Sequence, residues 1–485
     1  VQVSLSKILP LWGVAGLALT LAQPSHAAGV VGNGTPASCT EAALNTALTG
    51  GGLVTFNCGP NPVTIRVQEK VIAASTTIDG GGLVTLSGGR ANRVIRSNDN
   101  GIQLTLRNIT IADGFTTGEG GGVFNGFRGT LTVQNVTFTN NVSTQNAEFA
   151  GGGAIYTKSE STVIVDASRF IGNRASNGGA INNLLSNLTV TNSTFTGNAS
   201  TRPFPSGGGA AIYVDGGLNN NGRITLRSNR FSNNTSANHG GAMFVQLYGN
   251  DRLALTQSVI ARNTASGTQG GSGGGVFLIG SGNNTSANIA NNTFSSNIAS
   301  GLGGGLWIGS GVNTTLNNNT ITKNQALGRD NSSGQGGGIA IVNAPVAINN
   351  TTIVANVASS FNGAIGGGDS RSRISNSIIA NNRANNPFGI RNNCSNLLSN
   401  GGNNIEFPQR NLNDANDSNC AANIRVVDPL LGTFGLNGGV TRTIPLLPNS
   451  PAINGGNNAT CVATDQRGIP RPQRGVCDIG AFELQ

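Results

Sequence analysis

The sequence predicts an all-β chain, a right-handed parallel β-helix with three strands per coil and about ten regular coils. Three observations carry that prediction. First, a frame of two apolar residues, a Phe or Ile, and an Asn recurs, as in Val163, Val165, Phe170, Asn173 and in Leu188, Val190, Phe195, Asn198. Second, spacing within the frame is constant while successive Phe/Ile positions lie 25 to 36 residues apart, the period of a solenoid. Third, each copy carries a Gly run before apolar residues, as in GGGAIY at Gly151, GGAM at Gly240 and GGGI at Gly336. Alternation, β-branched content and Asn/Gly punctuation favour strands over helices. A two-residue apolar face cannot bury itself alone, so the copies must stack around one shared core.

In chain order, residues 1–27 hold Lys7, an apolar run from Ile8 to Leu21 and the exit Ser25-His26-Ala27, the pattern of a secretory signal peptide. The run is too short for a spanning helix, and Val1 is an unusual first residue for such a leader. Residues 28–100 read as an N-terminal cap and first coils. Thr40 to Leu48 is expected to form a short amphipathic helix with Ser38 or Thr40 as N-cap and Glu41 in its first turn. LVTF, VTIRV and TTIDGGGLVTLSGG follow as less regular coils. A lid is needed because a terminal coil exposes apolar core and an unpaired sheet edge.

Residues 101–385 form the regular array. Asn141, Asn173, Asn198, Asn234, Asn263, Asn297, Asn324, Asn356 and Asn382 are expected at one corner, in a conformation Asn tolerates, hydrogen-bonded up a ladder. The first copy has Gly114 instead. Length varies mainly between the Asn and the next Gly run, which marks the variable loop. Residues 386–485 lose the repeat and read as an irregular C-terminal capping region. Six cysteines lie outside the array. Sequence neighbours are the expected partners in an oxidising compartment, namely Cys39–Cys58, Cys394–Cys420 and Cys461–Cys477.

Charge bounds the function. The chain carries a formal +9, and residues 120–385 hold fifteen Lys/Arg against seven acids: Glu148, Glu160, Asp166, Asp215, Asp251, Asp330 and Asp369. Arg forks suit carboxylate, sulfate and phosphate, so acidic polysaccharide or the surface of a host or neighbouring cell is a candidate partner for a basic rod; the alternative is a generically basic surface kept soluble by its charge. Nucleic acid is not expected, since the array lacks dense basic–aromatic interleaving, and the chain is expected to be a monomer. No cofactor or metal is implied: there are two His and no C-x-x-C, and the Gly runs lack the Lys of a phosphate loop.

Aligning the post-Gly strands puts Tyr156, Asn182, Tyr213, Phe244, Leu278, Ile308 and Ile341 in one slot. Lys158, Leu184, Asp215, Gln246 and Asn343 share the slot two further on. If Ile155, Ile181, Ile212 and Met243 point inward, alternation turns the first slot outward. Tyr156, Tyr213 and Phe244, with Lys158 and Gln246, are then candidates for stacking on and bonding to sugars; the alternative is a covered slot that only packs. Catalysis would need converging carboxylates, and the acids are scattered. An enzyme reading, as a polysaccharide lyase or glycoside hydrolase, would assemble Lys158, Asp215, Asp251 and Arg252. His239 in NHGG reads as a loop histidine with a structural or solvated role.

Several stretches resemble known families. SCTEAALNTALTGGGLVTFNCG resembles the opening of bacterial surface β-helix proteins with a CSLREA-type start. The repeat resembles right-handed parallel β-helix proteins of the pectin-lyase-like fold and the polymorphic outer-membrane protein repeats. SPAINGG from Ser450 and TDQRGIPRPQRGVCDIGAFE from Thr464 resemble the choice-of-anchor Q domain of exported bacterial proteins. These resemblances imply export to a secreted or cell-surface location and a fold, and no defined activity. The sequence stops three residues after Phe482, so anchoring by a following segment is not expected. The reading is an exported β-solenoid acting by binding, in adhesion or carbohydrate recognition.

Overall fold

The computed structural model describes residues 29–203, 207–282, 284–329, 333–386, 388–390, 392–413 and 417–485; the leader read at 1–27 and Asp330 lie outside them. A coil begins after its Gly run with Ile155–Thr157, continues through Thr162–Asp166 and Arg169–Ile171, and ends with Arg174–Ala175. The first segment belongs to an eleven-strand sheet, the second and third to two columns of a 26-strand sheet, and the fourth to a ten-strand sheet. That fourth segment, only two residues long, has no signature in the repeated frame. Pairing is parallel and in register, with Val163 beside Leu188, Val165 beside Val190 and Phe170 beside Phe195.

The parallel solenoid has about 13 coils rather than ten. Gly52–Phe56 with Val63–Arg66, and Thr76–Ser87, add coils before the regular copies; Ser399–Asn400 with Ile405–Phe407 adds one after. The frame misses Thr76–Ser87 because its register shifts between Asp79 and Val84. At one strand spacing per coil the rod is ~60 Å long. Its core is a continuous file of inward residues, including Phe138, Phe170, Phe195 and Phe231, whose rings stack at 4.9, 4.5 and 4.8 Å.

The Asn column runs beside that file. Asn173 Nδ2 donates to Asn198 Oδ1 (3.0 Å) and to the Phe138 carbonyl (3.1 Å), while the Asn173 backbone N donates to the same Oδ1 (3.1 Å). The side-chain rung repeats from Asn141 to Asn382. Each amide therefore uses two donors and two acceptor sites. Past Asn382 the column continues to Asn393 (3.2 Å), whose Nδ2 donates to Glu406 Oε1 (3.0 Å). In the first copy the Gly114 backbone N donates to Asn141 Oδ1 (2.9 Å), and a Cβ at Gly114 would lie 2.1 Å from the Gly121 carbonyl oxygen. The left-handed corner residue is not the column Asn but the one before it: Asn140, Gly172, Gly197, Asn233 and Arg262, at φ 55 to 66°.

A second polar column was not read from the sequence. The backbone N of Ser168 donates to Ser193 Oγ, Ser193 N to Asn229 Oδ1, Asn229 N to Ser258 Oγ, and Ser258 N to Asn292 Oδ1. Its signal is a Ser, Asn or Thr two residues before each Phe/Ile from Phe170 onward.

At the first end, Glu41–Ala47 is helical, capped by Thr40 Oγ1 on the Ala43 N–H (3.2 Å), while Ser38 bonds within its own turn. Leu44 and Ala47 close the core, and Glu41 pairs with Lys70. The disulfides join Cys39–Cys58, Cys394–Cys420 and Cys461–Cys477. No helix among the described residues is long and apolar enough to cross a membrane.

The last stretch does not simply cap the rod. After Arg425–Val426 it folds back along the flank, where Ile444, Leu446, Ile479 and Phe482 pack on Val354, Ile378 and Ala380 as a second apolar cluster. Asn350 Nδ2 reaches Cys461 Sγ (3.5 Å), which places the third disulfide beside the array. The stretch from Thr464 is a buried ionic knot. Asp465 accepts from the backbone of Arg467, Ile469 and Glu483 and pairs with Arg467 (2.7 Å), whose guanidinium lies 3.6 Å from the Phe482 ring centroid. Arg471 pairs with Glu483 (3.3 Å) and donates to the carbonyls of Asp478 and Gly480. The residues that carry the resemblance in this stretch thus hold the strap together.

Two predictions follow from these contacts. Asn234→Ala strands the two donors of Asn198 that end on its Oδ1 and frees the Phe195 carbonyl. Urea unfolding should show a loss of about 3–5 kcal/mol, against under about 0.5 kcal/mol for Asn288→Ala on the exposed outer face. Burial pushes the Glu406 carboxyl up to about 7 from 4.5, with Asp417 adding repulsion and the Cys420 N–H and Asn393 amide opposing. A raised folded pKa means that the native state holds the proton more tightly. The Glu406 contribution to stability is therefore largest below pH about 4.5 and falls by ~3 kcal/mol as pH rises through 7, a difference that comparison of the native chain with Glu406→Gln in pH-dependent denaturation reads out.

Candidate functional site

Two outer surfaces carry chemistry, one on the eleven-strand sheet and one on the 26-strand sheet. On the eleven-strand sheet the true slot is Phe124, Tyr156, Asn182, Tyr213, Phe244, Phe277, Trp307 and Ala340. Leu278, Ile308 and Ile341 sit one position on and face the core, because the third Gly of GGGVF, Gly275, stands where Ala242 stands in GGAMF. The neighbouring slot shifts with it, so that Leu184, Asp215 and Gln246 continue to Ile279, Gly309 and Val342, not to Asn343.

The rings point away from the main core and still are not an open platform. Tyr213–Phe244 and Phe244–Phe277 stack at 5.1 Å, Phe277–Trp307 at 4.2 Å and Phe124–Tyr156 at 5.5 Å. Tyr156, Tyr213 and Phe244 are 7%, 3% and 7% exposed, so their faces are used on one another; Phe124 and Trp307, at the two ends, are half-buried. Burial pushes the Tyr156 hydroxyl up to about 12. His239 stacks on Phe277 (4.4 Å), its Nδ1 accepts from the Ser272 N–H (3.0 Å), and burial lowers its pKa to about 4, keeping it neutral.

The groups of the enzyme reading do not converge. Lys158 pairs with Asp99 (2.9 Å). Asp215, two coils on, accepts from the Tyr248 hydroxyl (2.7 Å), and burial raises its carboxyl while that bond opposes the rise. Asp251 is fully buried and accepts from the backbone of Gly217, Gly222 and Tyr248, locking a turn. Arg252 is on the other surface. Gln246 is half-buried next to the rings.

That other surface is basic. Over four successive coils strands of the 26-strand sheet carry Arg223, Arg227, Arg230 and Arg252, and Arg262 and Lys323 stand at the corners just after two of its strands, all exposed. Residues 223–233, 252–262, 286–296 and 313–323 contain no carboxylate. Arg223 stands beside Arg252, then Ser286 and Asn313, along a groove of about 370 Å³ floored by Thr225, Ala254, Asn288 and Thr315. Arg227 Nε donates to Gln257 Oε1 (3.0 Å) and Arg262 Nε to Asn233 Oδ1 (3.2 Å), contacts that orient the guanidinia and leave their charge unneutralised. Composition showed the positive excess; only the coil register shows that it gathers on one face.

No protein-family model matches the chain, and no curated protein matches it.

The ring slot makes a testable distinction. Phe244→Ala should lower stability by about 3 kcal/mol in denaturant titration, as truncation of a buried ring does; a ring on an open platform would cost almost nothing.

Proposed function

We propose that this protein is an exported, non-catalytic β-solenoid that binds acidic polysaccharide along the basic face of its long sheet. The observation that carries the reading is six exposed cations on four coils with no carboxylate among the outward positions of the same strands. Repeated coils set these charges on a regular lattice, and a polyanion meets such a lattice at several points at once. Amide and hydroxyl groups of Thr225, Asn288, Asn313 and Thr315 in the groove supply hydrogen bonds for sugar hydroxyls. Three disulfides suit an oxidising, extracytoplasmic location, in keeping with the leader and the surface-protein resemblance of the sequence. The stacked rings support the sheet beside this face instead of forming the sugar platform.

The test is binding of polygalacturonate and alginate to the oxidised chain over a salt series, with product analysis. Binding should weaken with salt, and Arg223→Ala with Arg252→Ala should weaken it roughly tenfold, as loss of two exposed charge contacts allows. Unsaturated or newly reducing products, or binding indifferent to both salt and the double variant, would overturn the reading.

A further inference from the structure

At one edge of the basic face, four cations converge on a single small pocket. Arg230 comes from a strand of the sheet, Arg262 and Lys323 from the corners that follow its strands, and Arg442 from the C-terminal strap. The cavity holds about 160 Å³, the volume of about five waters and the scale of one oxyanion group with bound water. Ser295 and Ser296 line it as well, and no carboxylate does. Among the described residues none of the four cations pairs with an acid.

Two further features set this cluster apart from a generally basic surface. Arg262 and Lys323 both stand at the left-handed corner position, each with φ 57°. Other coils put Asn140, Gly172, Gly197, Asn233 and Asn381 there, and also Asp113, Ser296 and Ala355; among the described coils Arg262 and Lys323 are the cations at this corner. Non-Gly residues held in this region cost free energy and cluster at ligand-binding sites, and here both cations line the same pocket. Arg442 is also held from several sides. Its carbonyl accepts from Thr293 Oγ1 (2.6 Å) and Gln466 Nε2 (3.1 Å), Thr441 Oγ1 beside it donates to the Asn291 carbonyl (3.3 Å), and its guanidinium lies 5.8 Å from the Phe434 ring centroid. The strap thus fixes the backbone of Arg442 beside three other cations, and its side chain, exposed like theirs, lines the same pocket.

We infer that this pocket binds a tetrahedral oxyanion, a sulfate ester or phosphate group carried by the polysaccharide; the inference rests on the polysaccharide-binding reading of the face. Cations approach from the sheet and from the strap. A carboxylate has two oxygens to divide between these sets, whereas a head with three terminal oxygens has one more to offer, and Arg forks match such oxygens in pairs.

Calorimetric titration of the oxidised full chain with inorganic sulfate and with inorganic phosphate tests this. One saturable site per chain is expected, weakened at least tenfold by Arg442→Gln and by Arg262→Gln with Lys323→Gln, and changed less than twofold by Arg223→Gln with Arg252→Gln. Circular dichroism and unchanged thermal midpoints certify that the variants are folded; the pair Arg262→Gln and Lys323→Gln alters only exposed side chains and keeps the test decisive should Arg442→Gln loosen the strap. Preference between the two ions tells sulfate from phosphate. Dextran sulfate and a phosphomannan should lose more affinity than polygalacturonate on Arg442→Gln. Absence of a saturable site, or equal losses for all three polymers, would overturn the inference. Ion binding at the pocket together with polymer binding indifferent to Arg223 and Arg252 would instead sink the reading of the face.

Discussion

The saturated asparagine amide is the constraint on which the rest depends. A coil made of short strands must turn sharply several times, and each turn leaves a backbone N–H and carbonyl inside the wall. An unsatisfied buried group of this kind costs about 1–3 kcal/mol. Asn offers two donors and two acceptor sites on a short side chain, and here all four are used, two along the column and two on the backbone. Asp would lack the donors, and Ser has only one. The rungs all point the same way and end on Glu406, an acceptor that needs no further rung. With the corner pinned, the following strands have one register, and the Phe file stacks ring on ring.

The same regularity creates an edge that has to be managed. On the column holding Thr293, Thr320, Thr352 and Ile378, the outward residues are small or apolar, and the strap lies against them: Gln466 bonds Thr293 and Thr320, and the Ala481 N–H reaches Thr352 Oγ1. On the earlier coils that column carries Arg169, Thr194 and Arg230 instead. Cover and exposed charge therefore divide one face between them, and Arg442 stands at the boundary. The ionic knot of Asp465, Arg467, Arg471, Asp478 and Glu483 is buried, and buried pairs are costly to break because removal of one partner leaves an unpaired charge. Its service is to give the strap one shape, so that Thr441 and Gln466 arrive together at the sheet.

The stacked rings on the eleven-strand sheet show why outward orientation and exposure differ. Strand alternation turns Tyr213, Phe244 and Phe277 away from the core, but in a parallel stack each ring lies about one strand spacing from the next, and the faces are spent on one another. His239 joins them as a neutral ring. What remains for ligands is the face whose side chains are charged and therefore stay apart.

Much of this was legible in the residues. The five-residue step from Val165 to Phe170 and the Asn three further on were enough for parallel stacking, for one corner shared by nine asparagines, and for a continuous core, because each repeats a local steric demand. The helix at Thr40 and the neighbouring cysteines were local as well. The sequence showed the coil around Asp79 only as irregular, without its register, and did not show the column through Ser168 and Asn229, whose alternation among Ser, Asn and Thr hides one shared role. A single Gly-for-Ala exchange at Gly275 was enough to slip the reading of the ring slot, since a strand shifted by one residue turns the opposite face outward. What only the tertiary structure decided is where distant segments meet: that the last residues return along the flank, that Arg442 joins Arg230, Arg262 and Lys323, and that Lys158, Asp215, Asp251 and Arg252 stay apart. Periodicity encodes which neighbour a residue has one coil away; it carries no information about a non-repeating strap, whose path is set by the apolar and hydrogen-bonding surface it finds only once the rod exists.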